Sequence, residues 1–168
     1  PCRWCKKRRF KILIMSYDPQ KQALEKPVSE FTEKVIQIKR VSKKTKGGNQ
    51  IHFTALVISG DKKNRVGIGL GKAKSVADAI GKGTKKAQKS MINVPIVNGT
   101  IPGEMKLKFK SAVVLIRPGK IGSGIIAGGP VRAVVELAGI KDIVSKIIGS
   151  KNKSLNVWAT YKALSSFK

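Results

Sequence analysis

Residues 65–91 read RVGIGLGKAKSVADAIGKGTKKAQKSM, and this stretch decides the fold of the first half of the chain. Alternation in its opening part puts Val66, Ile68 and Leu70 on one face of a strand and Gly67, Gly69 and Gly71 on the other. A strand face without side chains lets another backbone or element approach closely. From Ser75 to about Met91 the period changes. Val76, Ile80, Gly83, Ala87 and Met91 recur as an apolar helical stripe, while Lys82, Lys85, Lys86 and Lys89 lie off it. Ser75 is placed to cap the helix, and Asp78 stands three residues later at the acidic position of a capping box.

Upstream, two more strands are expected. In FTEKVIQIKRV (31–41), Ile36 and Ile38 alternate with Gln37 and Lys39. IHFTALVISG (51–60) is rich in β-branched and aromatic residues, its lower half reads as buried on both faces, and GDKKN (60–64) is a turn. The order is therefore β-β-β-α. Between the first two strands, Lys39, Arg40, Lys43, Lys44 and Lys46 fall within eight residues that hold no acid, ahead of Gly47 and Gly48. Such a cluster at the end of a hairpin repels itself, and a polyanion lying against it would relieve that repulsion.

Downstream, VPIVNGTIPG (94–103) reads as a strand and turn, and KFKSAVVLIRP (108–118) as one strand stopped by Pro118. Pro130 is placed as the first residue of a helix, PVRAVVELAG, with Val131, Val134, Val135 and Ala138 as its buried stripe and Gly139 closing it. IVSKII (143–148) reads as a last strand, and Leu155 to about Phe167 as a helix with an untidy stripe. GSGIIAGGPVRAV brings backbone N–H groups and Arg132 to a helix start, where a phosphate or carboxylate could sit. Equally, Gly128 and Gly129 could simply make a tight turn, and spacing leaves both readings open.

Composition narrows the function. The 168 residues carry 35 Lys+Arg against 9 Asp+Glu, a net charge of +26, with 41% hydrophobic residues, enough for a core. The charge is spread: residues 1–29 hold 8 cations against 2 acids, 30–93 hold 15 against 4, and 94–168 hold 12 against 3. That profile points to nucleic acid over much of the surface. No apolar run is long enough to span a bilayer, and the charged start is not a secretory signal, so no membrane partner is expected. His52 stands alone, the carboxylates are scattered, and neither a nucleotide-binding glycine motif nor a metal-ligand pattern is complete. Catalysis and cofactors are not expected. With two Trp, two Tyr and five Phe, no strand carries the stacking row of a single-strand binder, so lysine contacts to phosphates of structured RNA fit better. For this role the candidates on the helix and the strand before it are Lys72, Lys82, Lys85, Lys86 and Lys89. Residues 1–29 read as a basic arm. Within it Cys2 and Cys5 are free thiols, a redox pair, or at most half of a metal site shared with a neighbour.

RVSKKTKGG, FTALVISGD, RVGIGLGKA, MINVPIVNGT, GSGIIAGGPVRAVVELAGIKD and GSKN follow one another in an order that resembles the fifth protein of the bacterial-type small ribosomal subunit, over roughly residues 33–165. The resemblance implies an α+β protein. Residues 30–93 would form a domain similar to double-stranded-RNA-binding domains, and residues 94–168 a β-α-β-α domain with a left-handed crossover. It further implies that Arg40, Ser42, Lys43, Lys44, Lys46, Gly47 and Gly48 meet rRNA. Gly124 and Arg132 match a region facing the fourth small-subunit protein, where messenger RNA enters and decoding fidelity is influenced. The setting would be a ribosome in a bacterial cytoplasm, a plastid stroma or a mitochondrial matrix. Three features depart from the family: GEMKLKFKSA after GTIP, Trp158 where an arginine is usual, and the PCRWCKKRR arm. The competing expectation is a free-standing double-stranded-RNA-binding or RNA chaperone module.

Overall fold

The computed structural model describes residues 31–167, so the arm with Cys2 and Cys5 lies outside the described residues. The first sheet is antiparallel throughout. It is built from β1 (Thr32–Thr45), β2 (Gly48–Gly60), β3 (Arg65–Ala73) and β4 (Met91–Asn93), side by side in that order. α1 (Val76–Lys89) crosses one face of it. A second sheet has β5 (Met105–Phe109), β6 (Ala112–Pro118), β8 (Ile143–Gly149) and β7 (Ile125–Ile126) in that spatial order, with β7 and β8 parallel. α2 (Gly129–Ala138) connects β7 to β8, and α3 (Lys153–Ser166) ends the described chain.

The glycine face of β3 is where α1 rests. A Cβ on Gly67, Gly69 or Gly71 would fall on the carbonyl oxygens of Ala87, Gly83 and Ala79 respectively. The helix buries Ala79, Gly83, Thr84 and Ala87, with Val76 and Ile80 half-buried beside them. Its N-terminus differs from expectation. Ser75 occupies the capping position, but its side chain makes no capping hydrogen bond, and the capping box with Asp78 does not form. Its C-terminus is also earlier than expected: the Ser90 N–H donates to the carbonyls of Lys86 and Ala87, and Met91 opens β4 instead.

Two strand readings are corrected as well. The β1–β2 register shifts between Val35 and Gln37, so Ile36 and Ile38 do not share a face: Ile36 packs against the main core and Ile38 is 45% exposed. KFKSAVVLIRP is not one strand but parts of two, folded back at Lys110, whose φ is 53°. Nothing in its composition marks a turn. In 94–103 the structure has a tight turn at Asn98 (φ 51°) and Gly99 (φ 78°), closed by reciprocal hydrogen bonds between Val97 and Thr100.

α2 joins the two sheets through one core. Val131, Val134, Val135 and Ala138 are buried as the stripe predicts, and Gly139 ends the helix at φ 89°. Around α2 the core runs from Leu56, Ile58, Val66 and Ile68 of the first sheet to Val114, Ile116 and Ile143 of the second. The β2–β3 turn caps the end of α2: the N–H groups of Lys62 and Asn64 donate to the carbonyls of Leu137 and Ala138, both at 3.1 Å. An ion pair between Lys34 and Glu136, 2.8 Å long and half exposed, spans the same junction. α3 has no clean stripe because it packs on α2, β5 and β6 together, burying Asn156, Val157, Ala159, Thr160, Ala163 and Leu164.

Candidate nucleic-acid interface

β3 stops pairing at Ala73, opposite Phe53, yet β1 and β2 continue to Thr45 opposite Gly48. From the Val41–His52 pair onward the hairpin is a bare two-stranded ribbon, projecting about 16 Å at roughly 3.3 Å per residue. The cationic cluster therefore lies along a projecting strand as well as at its tip. By strand alternation Arg40, Ser42 and Lys44 share one face of β1, and Lys39 and Lys43 the other, with Lys39 and Arg40 at the ribbon's base where β3 still pairs. All five are exposed, as are Lys46, Gly47 and Gly48 at the tip. Thr45 Oγ1 donates to the Gly48 carbonyl at 2.7 Å, and Gly48 sits at φ 126°, a conformation that demands glycine.

Ion pairing in the described residues is confined elsewhere. Glu136 takes Lys34, Asp61 takes Arg65 and Glu104 takes Arg117, so no carboxylate neutralises the ribbon. Val41 and Ile51 on the ribbon are each 44% exposed, so little apolar burial holds it. A two-stranded ribbon of this kind is marginal by itself in water, and a polyanion bound to its charges would hold it.

Lys82, Lys85, Lys86 and Lys89 all lie on the exposed side of α1. Lys86 Nζ reaches back to the Leu70 carbonyl at 3.2 Å. Lys72, Lys74, Lys82, Asp78 and His52 line one recess where the ribbon leaves the sheet, so the structure brings Lys72 and Lys82 together at the ribbon's base. Lys85, Lys86 and Lys89 extend the positive surface along the helix.

Gly124 and Arg132 stand on either side of β7. Gly124 has φ 70° with open space where a Cβ would go, so glycine is required there by the backbone and not by crowding. Its N–H donates to Asp142 Oδ1 at 2.8 Å, and its carbonyl accepts from the Ile143 N–H. Asp142, only 8% exposed, is a residue that sequence reasoning missed, because a lone aspartate carries no pattern. Arg132 is exposed in the first turn of α2, one turn before Glu136. The Glu136 carboxyl is held below its ordinary range, first by the Lys34 hydrogen bond and charge and to a smaller degree by Arg132. Gly128 ahead of α2 has an ordinary φ of −64°, and a Cβ there would press on the end of the Ile147 side chain.

Trp158 is half-buried against the core and meets Tyr161 edge-to-face at 5.8 Å, so this departure is spent on packing. Among the described residues no group of three His, Cys, Asp or Glu side chains could hold a metal ion. None of their helices is long and apolar enough to cross a membrane.

Comparison with known proteins agrees with this geometry. The family model described as ribosomal protein S5, N-terminal domain, matches residues 31–95, and that described as ribosomal protein S5, C-terminal domain, matches residues 107–168. The small ribosomal subunit protein uS5 of Chloroflexus aurantiacus is 52% identical over 136 residues, covering 81% of this chain and 76% of that protein. The uS5 protein of Treponema pallidum is 49% identical over 135 residues, covering 80% and 78%. That of Protochlamydia amoebophila is 47% identical over 144 residues, covering 86% of each.

Proposed function

The chain belongs to the ribosomal protein S5 family, and from that premise we propose how it holds its particle. It is a structural, non-enzymatic constituent of a bacterial-type small ribosomal subunit, where it binds rRNA and other ribosomal proteins. The β1–β2 ribbon is its principal rRNA grip, with Arg40, Ser42, Lys43, Lys44 and Lys46 reaching phosphates and Gly47 and Gly48 shaping the tip. Lys72, Lys82, Lys85, Lys86 and Lys89 form a second line of contact along α1. The observation that carries this reading is a projecting ribbon whose cations have no carboxylate partner among the described residues. Phosphate contacts of this kind fix position and orientation without reading sequence.

Gly124 and Arg132 mark the face turned to the fourth small-subunit protein, near the path by which messenger RNA enters, and through it they bear on decoding fidelity. Within this reading 30–93 is the RNA-gripping domain and 94–168 the partner-facing domain, while 1–29 lies outside the described residues. The particle sits in a bacterial cytoplasm or in an organelle. Co-sedimentation tests the grip. The wild-type chain is expected to travel with small subunits at moderate salt, and a variant with Lys43, Lys44 and Lys46 replaced by Ala to be displaced at lower salt. Equal retention of the two would overturn the assignment.

A further inference from the structure

Between β4 and β5 the chain makes the tight turn of residues 97–100, closed by Val97 and Thr100. Buried Val94 and Ile101 anchor the chain on either side of it. The Val94 N–H donates to the Asn64 carbonyl at 2.8 Å, which ties this segment to the β2–β3 turn of the first sheet. With both ends fixed, the turn presents the Gly99 carbonyl to the segment that leads into β8. That one oxygen accepts from two successive donors, the Lys141 N–H at 2.9 Å and the Asp142 N–H at 3.2 Å. The same segment holds the Gly124 loop: the Ile143 N–H donates to the Gly124 carbonyl, and Asp142 Oδ1 accepts from the Gly124 N–H. Residues 141–143 are thus bonded to two turns at once. Glycine is needed at position 99 for its φ of 78°, since a Cβ there would meet only the Lys141 side chain, at an ordinary 3.7 Å.

The Asp142 carboxylate can hold Gly124 only while the Asp142 backbone is itself in place. Good N–H···O bonds end at a separation of about 3.2 Å, so a shift of a few tenths of an ångström at Asp142 is felt at the Gly124 N–H. We propose that the 97–100 turn is a positioning element for the partner-facing loop, in which the Gly99 carbonyl seats Asp142 so that its carboxylate holds Gly124 at positive φ. Because the segment carrying the turn is bonded to Asn64, the first sheet shares in the support of that loop. The proposal rests on the reading above that Gly124 and Arg132 face a protein partner. It adds Gly99, a positioning residue that acts through Asp142.

The test uses the full chain, free in solution and assembled into small subunits. Gly99→Val puts a β-branched residue at positive φ and should unseat the clamp. Amide exchange at Gly124 is then expected to speed up by about tenfold, the scale of one lost hydrogen bond, while amides of the β2–β3 ladder exchange as in wild type. In assembled subunits the same variant should shift misreading with incorporation near wild type. Gly99→Asn, a residue that tolerates the left-handed region, should bring both readouts back towards wild type. Should Gly99→Val fail to fold, an ester in place of the Lys141 amide removes the shorter of the two donors without altering a side chain, and the same faster Gly124 exchange is expected. Unchanged Gly124 exchange would overturn the proposal, as would faster exchange spread evenly through the fold, the mark of a merely structural role. If Gly124→Val shifts misreading but Gly99→Val leaves Gly124 exchange unchanged, the positioning role alone falls. If Gly124 exchange quickens in Gly99→Val and misreading stays at wild type, the positioning role stands and the partner-facing reading falls.

Discussion

The Gly124 N–H donates to the Asp142 carboxylate across 18 residues of sequence, and this bond pins the loop ahead of β7 to the start of β8. The two residues hold one backbone shape from opposite sides: Gly124 permits φ 70° and Asp142 anchors it. Changing Gly124 to Val places a β-branched residue at positive φ, a strain of about 1–3 kcal/mol. Asp142→Ala removes the anchor and leaves the Gly124 N–H without its acceptor. Both variants should shift misreading in a reporter assay while subunit assembly stays near wild type. Collapsed assembly with wild-type misreading would make the pair architectural.

The contact of α1 with β3 gives a sharper stability prediction. A methyl group at Gly69 would meet the Gly83 carbonyl, backbone against backbone, with no side chain able to give way. Gly69→Ala should therefore destabilise the fold by on the order of 3 kcal/mol, at the upper end of overpacking costs. Gly81→Ala on the same helix meets nothing within 4 Å and should be neutral or slightly stabilising. Urea denaturation of the two variants checks this, and equal midpoints would contradict it.

Acid sensitivity should trace to Asp61. Burial pushes its carboxyl up, but the Lys63 N–H and then the Arg65 side chain, N–H and charge outweigh this and hold it below its ordinary 3.8. A depressed folded pKa contributes stability that is present above the unfolded value and lost as pH falls through the folded one. Asp61→Asn should therefore be less stable than wild type at neutral pH, by about 1.5–3 kcal/mol for a charged hydrogen bond. The gap should begin to narrow as pH falls below about 3.8 and close once pH is under the depressed folded value. A gap that widened in acid would refute the assignment.

Whatever leaves a periodic trace is legible in the sequence alone. The bare face of β3, the Pro130 start of α2 and its valine stripe are readable because each repeats or breaks a period. The bulge at Ile36 is not, since one extra residue leaves the β-branched run looking regular. Nor is the β5–β6 hairpin, which turns at Lys110 and Ser111, residues that announce no turn. At the interface the cations are visible as composition, but the long ribbon depends on β3 ending early, a relation between strands. Asp142 is invisible because its significance lies in one distant bond.

The central claim is that the β1–β2 ribbon grips rRNA through cations that no carboxylate among the described residues neutralises. Its most direct test is the salt dependence of rRNA binding for the full chain, compared with the variant in which Lys43, Lys44 and Lys46 are Ala. The substitutions lie on an exposed ribbon and should change folding stability by no more than about 0.5 kcal/mol. The account predicts that the log–log slope becomes shallower by about one for each phosphate the variant no longer neutralises, up to about three in all, with thermal unfolding unchanged. An identical slope for the two proteins, both folded, would contradict it.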